Sequence, residues 1–220
     1  MSERCTRYLI LRFRIKYHLA HIIVPLLFSQ GADAPFAILF LGIDSLTRLC
    51  STYENDGKIF ASDVSQARVL IGEKRSNELK WPIQWKRKDA SEDDFPMADR
   101  ILIDAPCTGT GVMGRRTDIR WRREKEDVES MVTIQKSIIG HMAQFLKPGG
   151  VMVYATCSLE MEENWNVVKW FLKLDDNFRI DSGKDLVPNN WLNAQKCLET
   201  FPPRDKVDGM FAARIRKNDE

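Results

Sequence analysis

Two cysteines follow two apolar runs that are typical of buried strands. Cys107 comes three residues after Asp104, which directly follows the apolar residues 101–103, and Cys157 closely follows the apolar run 151–154. The carboxyl ends of strands form the ligand crevice of an open α/β sheet, so we expect both thiols to point into one site. A pair of thiols there suits covalent chemistry on an electron-poor ring carbon.

Three aspartates stand at the ends of successive predicted strands. Asp63 ends the second strand, Asp89 follows the third and Asp104 ends the fourth. A carboxylate at such a position commonly accepts hydrogen bonds from the ribose diol of a nucleotide-type cofactor. Each aspartate alone could instead cap a helix or close a turn. Three of them on one edge of a sheet favour a cofactor crevice.

The elements that must position these residues alternate along the chain from Phe36 onward. The pattern predicts strands over residues 36–42, 58–62, 83–88, 100–103, 151–155 and 210–215, and helices over 44–53, 65–79, 126–146 and 158–172. This order indicates an α/β fold with a mostly parallel sheet and helices on both faces.

Several details of these elements are also predicted. In the helix over 65–79, Val69, Leu70 and Leu79 are expected to lie partly inward. The Pro-Gly-Gly segment 148–150 is expected to stop the long helix and turn the chain into the next strand. The acids Glu160, Glu162 and Glu163 are expected in the favourable first turn of the helix that Ser158 caps.

A local basic patch stands out, because the formal net charge of the 220 residues is only +2. Five arginines surround Trp121 within nine residues after Cys107, namely Arg115, Arg116, Arg120, Arg122 and Arg123. Arginines pair with phosphates, and an exposed tryptophan stacks on a base. Such a run also fits a solvated loop with Trp121 packed beneath it. Its position beside the cysteines favours a surface that faces nucleic acid.

Cysteine usage and the N-terminal segment indicate the compartment and the domain organisation. The five cysteines are odd in number and widely spaced, and the three histidines have no partners at helical spacing, so no metal is expected and a reducing cytoplasm is favoured. Residues 4–16 are basic and the apolar run 19–28 imitates a secretory signal, but the run is interrupted and too short for a membrane span. We predict an atypical segment over 1–35, helical or poorly ordered, and a catalytic domain over 36–220.

A series of motifs lies between about Gly57 and Arg216. They are Ala61-Ser62-Asp63-Val64-Ser65, Lys88-Asp89-Ala90, Asp104-Ala105-Pro106-Cys107-Thr108-Gly109-Thr110-Gly111, Asp118-Ile119-Arg120-Trp121, Leu146-Lys147-Pro148-Gly149-Gly150, Ala155-Thr156-Cys157-Ser158-Leu159 with Glu163-Asn164, and Asp208-Gly209-Met210-Phe211. Together they resemble the RNA cytosine C5-methyltransferases of the Sun and Nop type, which are S-adenosylmethionine enzymes with a Rossmann-like fold. The resemblance implies RNA, and by family analogy ribosomal RNA, as the substrate.

The resemblance also implies roles for three residues. Cys157 is the expected nucleophile, Cys107 assists release of the covalent adduct, and Asp104 binds the N3/N4 edge of cytosine. Addition of a thiolate at C6 makes C5 enamine-like, so that C5 can attack the methyl group of a sulfonium donor. DNA cytosine C5-methyltransferases instead use a Pro-Cys cysteine, which Pro106-Cys107 would fit, but the second cysteine motif belongs to the RNA type.

The chain departs from the family at the first cofactor motif. Relatives have two glycines and a lysine after the first strand, whereas here Gly42 is the glycine that allows close backbone approach and Ser45 stands at the lysine position. The expected cofactor contacts are therefore Asp63, Asp89, Asp104 and Gly42. The departure leaves open a catalytically inactive RNA-binding remnant. An altered reading frame or a degenerate gene start would each produce such a change over residues 1 to about 50.

Overall fold

A single sheet organises the part of the chain that the computed structural model describes, which is Leu26, the backbone of 37–41, and residues 58–219 apart from Arg123. Its strands are β1 (Ala37–Leu41), β2 (Lys58–Asp63), β3 (Ile83–Arg87), β4 (Ala98–Asp104), β5 (Leu146–Thr156), β6 (Phe178–Ile180), β7 (Leu198–Thr200) and β8 (Met210–Lys217). The strand order is β3-β2-β1-β4-β5-β8-β6, and β7 also pairs with β8. Strands β1 to β5 are parallel, and β8 runs antiparallel to β5, β6 and β7. The predicted mostly parallel sheet is confirmed.

Helices cover both faces of this sheet, as predicted. They are α1 (Gln66–Glu78), α2 (Ile119–Arg122), α3 (Lys125–Met142), α4 (Trp165–Leu174) and α5 (Pro202–Asp205), with single 3₁₀ turns at Thr110–Val112, Ala143–Phe145 and Asn189–Trp191. Neighbouring residues of one strand point to opposite faces. Accordingly, Leu102 packs in the core layer of Val69 from α1, whereas Ile101 packs with Ile139 of α3 and Val168 of α4.

The inward face of α1 differs from the prediction. Val69 is buried, but Leu70 is 55% exposed and Leu79 is 41% exposed. The buried residues of α1 are Val69, Gly72 and Ser76, which share one helix face at spacings of three and four residues. A Cβ at Gly72 would lie 2.4 Å from the Trp85 ring, so packing requires a glycine here even though glycine disfavours a helix.

Strand β5 starts earlier than predicted and includes the Pro-Gly-Gly segment. Ala98 pairs with Leu146 and Arg100 pairs with Val151, so extra residues of β5 form an irregularity within the strand. Gly149 adopts a left-handed φ of 69°, and its carbonyl accepts a hydrogen bond of 2.9 Å from Nη1 of Arg216. The predicted turn is therefore a bulge, and α3 ends before it, at Met142.

Leu26 places part of the N-terminal segment against the sheet. Its side chain is buried in the core layer of α1, and its carbonyl accepts a hydrogen bond from Nη1 of Arg214. The predicted helix over 44–53 and the cofactor contact Gly42 lie outside the described residues, and the boundary at residue 36 stays a prediction. In the described portion of the chain, every helix is too short or too polar to cross a membrane.

Candidate active site

The strand order creates a crevice where two of the predicted site carboxylates lie. Strands β2 and β4 both end in aspartate, Asp63 and Asp104, and both pair with β1 between them. The chain order reverses between β1 and β4, which is where α/β sheets bind ligands outside the carboxyl ends of their strands. Neighbouring strands lie about 4.8 Å apart, so the two aspartates stand roughly 10 Å apart along this edge.

The two predicted thiols meet at the same edge. Cys107 Sγ lies 3.3 Å from Cys157 Sγ, and both cysteines are half-buried and free of disulfide bonds. The loop after β4 is tied to the end of β5, because the Ala105 N–H donates to the Ala155 carbonyl at 2.9 Å. The Gly111 N–H likewise donates to the Cys157 carbonyl at 2.9 Å.

Two glycines of this loop are needed for its path. Gly109 has a left-handed φ of 76°, which a side chain disfavours. A Cβ at Gly111 would lie 2.1 Å from the Gly209 carbonyl oxygen, so Gly111 allows the loop before β8 to approach closely. The Gly209 N–H then donates to the Gly111 carbonyl at 2.9 Å. The loop that contains Cys107 is therefore fixed on two sides.

The thiol pair is electrostatically asymmetric. The pKa of Cys157 is lowered, mainly by its hydrogen bond with the Cys107 thiol, and Arg116 adds a smaller effect in the same direction. The pKa of Cys107 is raised well above its ordinary value by the same hydrogen bond and by burial. Cys157 is therefore the thiol that ionises, and the charge of Asp104 opposes this ionisation without reversing it.

This asymmetry predicts the order in which the thiols react. Iodoacetamide reacts with thiolates, so the modification rate of Cys157 should be half-maximal at a pH below the ordinary cysteine range. In a Cys107→Ala variant the hydrogen-bond donor is gone, so this midpoint should move to higher pH. Mass spectrometry of the modified peptides measures both rates. Buried Cys197, whose pKa is raised to about 12, is the internal control. Modification of Cys107 before Cys157 would contradict the assignment.

The segment after Cys157 is not the start of a helix, contrary to the prediction. Helix α4 begins at Trp165, and the predicted cap Ser158 instead accepts the Glu160 N–H at 3.0 Å in a local turn. The Leu159 N–H donates to Oγ1 of Thr110 at 2.9 Å, which joins this segment to the Cys107 loop. Side-chain hydrogen bonds across the site hold the segment in a non-helical path.

Glu163 is a site residue that the sequence interpretation missed. Its side chain is fully buried, at 0% exposure. Oε1 accepts hydrogen bonds from the Thr108 N–H at 2.9 Å and from Nε2 of Gln135 at 3.0 Å. Oε2 accepts from the Thr108 and Ser158 hydroxyls, each at 2.5 Å. The sequence contained one signal for a buried polar contact here. Gln135 is a polar residue on the same buried face of α3 as Ile138 and Met142.

Two of the predicted cofactor carboxylates, Asp63 and Asp89, cap turns at the strand ends. Oδ1 of Asp63 accepts the Ser65 N–H at 2.8 Å. Asp89 accepts both the Ser91 hydroxyl and the Ser91 N–H, and these hydrogen bonds lower its pKa. An ionised carboxylate has about four acceptor positions, so turn capping and ligand binding are compatible. The position after β1, where Gly42 would complete the crevice, lies outside the described residues.

The basic loop lies beside the thiols and presents Trp121 to solvent. Trp121 is 89% exposed, so the alternative in which it packs beneath the loop is wrong. Buried Ile119 anchors the short helix α2, and Nε of Arg115 pairs with Oδ1 of Asp208 at 3.1 Å. Arg116 is exposed. The side chains of Arg120 and Arg122, and all of Arg123, lie outside the described part of the structure.

Fold and crevice define the class of protein as a Rossmann-like, S-adenosylmethionine-dependent methyltransferase. Within this class the chain belongs to the family described as 16S rRNA methyltransferase RsmB/F, whose family model matches residues 45–216. The resemblance to the Sun and Nop type is thereby confirmed, and S-adenosylmethionine is the cofactor of the family. The described residues contain no cluster of three or more histidine, cysteine or acidic side chains that could hold a metal ion.

Similar proteins include two bacterial enzymes named ribosomal RNA small subunit methyltransferase B. The enzyme from Pectobacterium atrosepticum is 35% identical over 165 residues, and that from Shewanella oneidensis is 38% identical over 170 residues. Each match covers 73% of this chain and 37% of the relative, so the chain spans little more than a third of the length of these relatives.

Solved structures agree with the fold. NSun6 from Pyrococcus horikoshii, solved with SFG, an analogue of S-adenosylmethionine, has a TM-score of 0.77 at 25% identity. That match covers 90% of this chain and 51% of NSun6. TrmN from Thermus thermophilus, at 18% identity and a TM-score of 0.60, supports the fold alone, and its match covers 90% of this chain and 48% of TrmN.

Proposed function

We propose that this protein methylates C5 of cytosine in ribosomal RNA through a covalent cysteine adduct at C6. The observation that supports this proposal is the thiol pair at the carboxyl ends of β4 and β5, in which Cys157 Sγ lies 3.3 Å from Cys107 Sγ and the hydrogen bond between them lowers the pKa of Cys157. A cytosine ring needs a thiolate at C6 and a proton donor at its N3 edge before C5 becomes nucleophilic. We assign that edge to Asp104, at the end of β4 beside the thiols.

Each residue then has one role in the proposed reaction. The Cys157 thiolate forms the bond to C6, and a proton at N3 neutralises the negative charge that develops on the ring. Asp104, which is ionised in the free protein, takes up this proton when cytosine binds and shares it with N3. S-adenosylmethionine, when bound, supplies the methyl group as a sulfonium. The C5 proton passes to water, the electrons of the C5–H bond restore the C5–C6 double bond, and the Cys157 thiolate is eliminated. Cys107 assists this release.

The cofactor crevice is proposed to be formed by carboxylates at the strand ends. We assign to Asp63 the hydrogen bonds from the ribose diol, and Asp89 and Asp104 follow strands of the same edge. Backbone approach after β1 would come from Gly42. These residues fit a nucleoside cofactor because ionised carboxylates at the ends of β2, β3 and β4 are acceptors for hydroxyl and amino groups.

Calorimetric titration with S-adenosylmethionine tests the proposal directly. We expect saturable binding in the micromolar range, about −8 kcal/mol, and loss of this binding in an Asp63→Ala variant. Glu73→Ala, on the partly exposed side of α1, is the matched control and should bind normally.

A second candidate function is supported by the departure at the first cofactor motif, where Ser45 stands in place of the family's lysine. In this alternative the protein is a catalytically inactive remnant that keeps the fold and the basic loop for RNA binding. Absence of S-adenosylmethionine binding by a folded protein that still binds RNA would favour the remnant. Incubation with methyl-labelled cofactor and either RNA or DNA, followed by nucleoside analysis, would also separate the RNA enzyme from a DNA enzyme.

The basic loop is proposed to bind the RNA backbone, with Trp121 stacking on a base. Because Arg115 is paired with Asp208, Arg116 is the sharper position to test. Arg116→Ala should reduce the slope of log affinity against log salt by about 0.7 for each single-strand phosphate that the arginine neutralises. Lys173→Ala, at the far end of α4, is the control for general charge loss. An unchanged slope for Arg116→Ala would place the RNA elsewhere.

The proposal includes a cytoplasmic location, where the thiols stay reduced.

A further inference from the structure

One buried carboxylate links the two loops that present the thiols. Glu163 accepts hydrogen bonds from Thr108, which directly follows Cys107, and from Ser158, which directly follows Cys157. Thr108 contributes both its N–H and its hydroxyl. Thr108 and Ser158 are 50 positions apart in the chain, and a single side chain holds both.

The surroundings of Glu163 leave it little freedom. Gln135 donates from the same Nε2 atom to Oε1 of Glu163 at 3.0 Å and to the carbonyl of Pro106 at 2.8 Å. The Tyr154 hydroxyl donates to the Glu163 carbonyl at 2.7 Å, which fixes its backbone from β5. Thr108, Gln135, Tyr154 and Ser158 are all buried. Both carboxylate oxygens of Glu163 are satisfied, although Oε1 of Gln135 has no partner among the described residues. A buried carboxylate held by four hydrogen bonds is rigidly positioned.

We propose that Glu163 is a positioning residue that sets the separation of the Cys107 and Cys157 thiols. The length of its side chain and its two acceptor oxygens fix where each cysteine loop lies. They thereby maintain the thiol-to-thiol hydrogen bond on which the ionisation of Cys157 depends. The consequence for turnover rests on the proposed function, but the geometric role can be tested without RNA or cofactor. The charge of Glu163 acts in the same sense, since it raises the pKa of Cys107 and keeps that thiol a donor.

Two variants separate reach from charge. Glu163→Asp keeps the charge but shortens the side chain by one methylene, so the carboxylate can no longer meet Thr108 and Ser158 together. Glu163→Gln keeps the length, and the two hydroxyls can turn their hydrogens to accept from the new amide group. Glu162→Gln, at the exposed neighbouring position, is the matched control.

Phenylarsine oxide measures the thiol separation directly. The reagent forms two As–S bonds with two nearby thiols, and the two thiol protons leave with the oxide oxygen as one water. We expect Glu163→Asp to weaken this binding at least about tenfold, as loss of charge-assisted hydrogen bonds implies. Glu163→Gln should stay within about threefold of the parent protein, and Glu162→Gln should be unchanged. Cys107→Ser defines binding by single thiols. Unaltered binding by a folded Glu163→Asp variant would overturn the proposal.

A pH profile distinguishes positioning from a merely structural role. In Glu163→Asp the midpoint for iodoacetamide modification of Cys157 should rise toward the value of the Cys107→Ala variant, because the hydrogen bond from Cys107 is lost. A merely structural role would lower the melting temperature and leave this midpoint in place, which would refute the proposal. In methylation assays the same variant should lose kcat while KM for RNA is unchanged. If the parent protein does not methylate RNA, the proposed function fails, whereas the arsenical and pH results still decide the role of Glu163.

A second pair of variants applies if Glu163→Asp does not fold. Thr108→Val removes the hydroxyl bond to Oε2 with little change of shape and keeps the Thr108 N–H. Thr108→Ser keeps the hydroxyl. We expect Val to weaken arsenical binding and Ser to restore it. Equal binding by the two folded variants would count against a positioning network.

Discussion

Replacement of Cys157 by serine should reduce methylation of RNA by at least about a thousandfold. The reason is that a serine hydroxyl is not ionised near neutral pH and cannot replace the thiolate that adds to C6. The structure gives Cys157 a lowered pKa through the hydrogen bond from Cys107, so no second activated nucleophile is expected to take over among the described residues. Initial rates with methyl-labelled cofactor measure the loss.

Covalent trapping provides the control for this prediction. On RNA that contains 5-fluorocytosine, fluorine occupies the position from which the proton must leave, so the adduct persists and is visible on a denaturing gel. The parent protein and Cys107→Ser should both form the complex, because Cys107 acts in release. Cys157→Ser should form none. A covalent complex with Cys157→Ser would assign the nucleophile to Cys107, as in the DNA-type pattern.

The second large effect is expected at Asp104. Asp104→Asn should lower kcat by about 10²- to 10⁴-fold, the range for loss of a positioned proton donor, because an amide cannot share a proton with N3 in the same way. The same change should make the Cys157 thiol more reactive. The charge of Asp104 opposes ionisation of Cys157, so its removal should lower the pKa of Cys157 further.

Two measurements on one variant therefore test the role of Asp104. Methylation should fall while the iodoacetamide midpoint of Cys157 moves to lower pH. Asp99→Asn is a suitable control, since Asp99 is a carboxylate of the same strand but lies near its opposite end, where it pairs with Lys147 at the start of β5. If methylation rises together with thiol reactivity in Asp104→Asn, the carboxylate has no role on the ring.

Much of the fold follows from local patterns in the sequence. The central strands are continuous apolar runs because the sheet is covered on both faces, and such runs are visible without knowledge of their partners. The site residues Asp63, Asp104, Cys107 and Cys157 follow these runs closely. They are therefore predicted on one edge of the sheet without knowledge of their contacts. The basic residues around Trp121 are evident from the sequence alone, although the exposure of the Trp121 side chain is not.

Other features depend on neighbours that are distant in sequence. The exposure of Leu70 and the burial of Gly72 depend on where Trp85 packs, which helical periodicity alone does not determine. The bulge at Gly149 depends on the register of β5 against β4. Glu163 lies where early-helix capping would explain it, and its contacts with residues 28 and 55 positions away show a different role.

The sequence alone determines which residue types stand at the strand ends. It therefore determines the chemistry that this edge of the sheet can perform. Which thiol donates and which ionises is set only in the folded chain. Both cysteines follow strands in similar motifs, and their difference arises from the hydrogen bond across the 3.3 Å contact between them, from Arg116, which lowers the pKa of Cys157, and from Glu163, which raises the pKa of Cys107. The charge of Asp104 acts against this difference. A pKa depends on burial and on charges nearby in space. The neighbours that raise one thiol pKa and lower the other come together only when the sheet has formed.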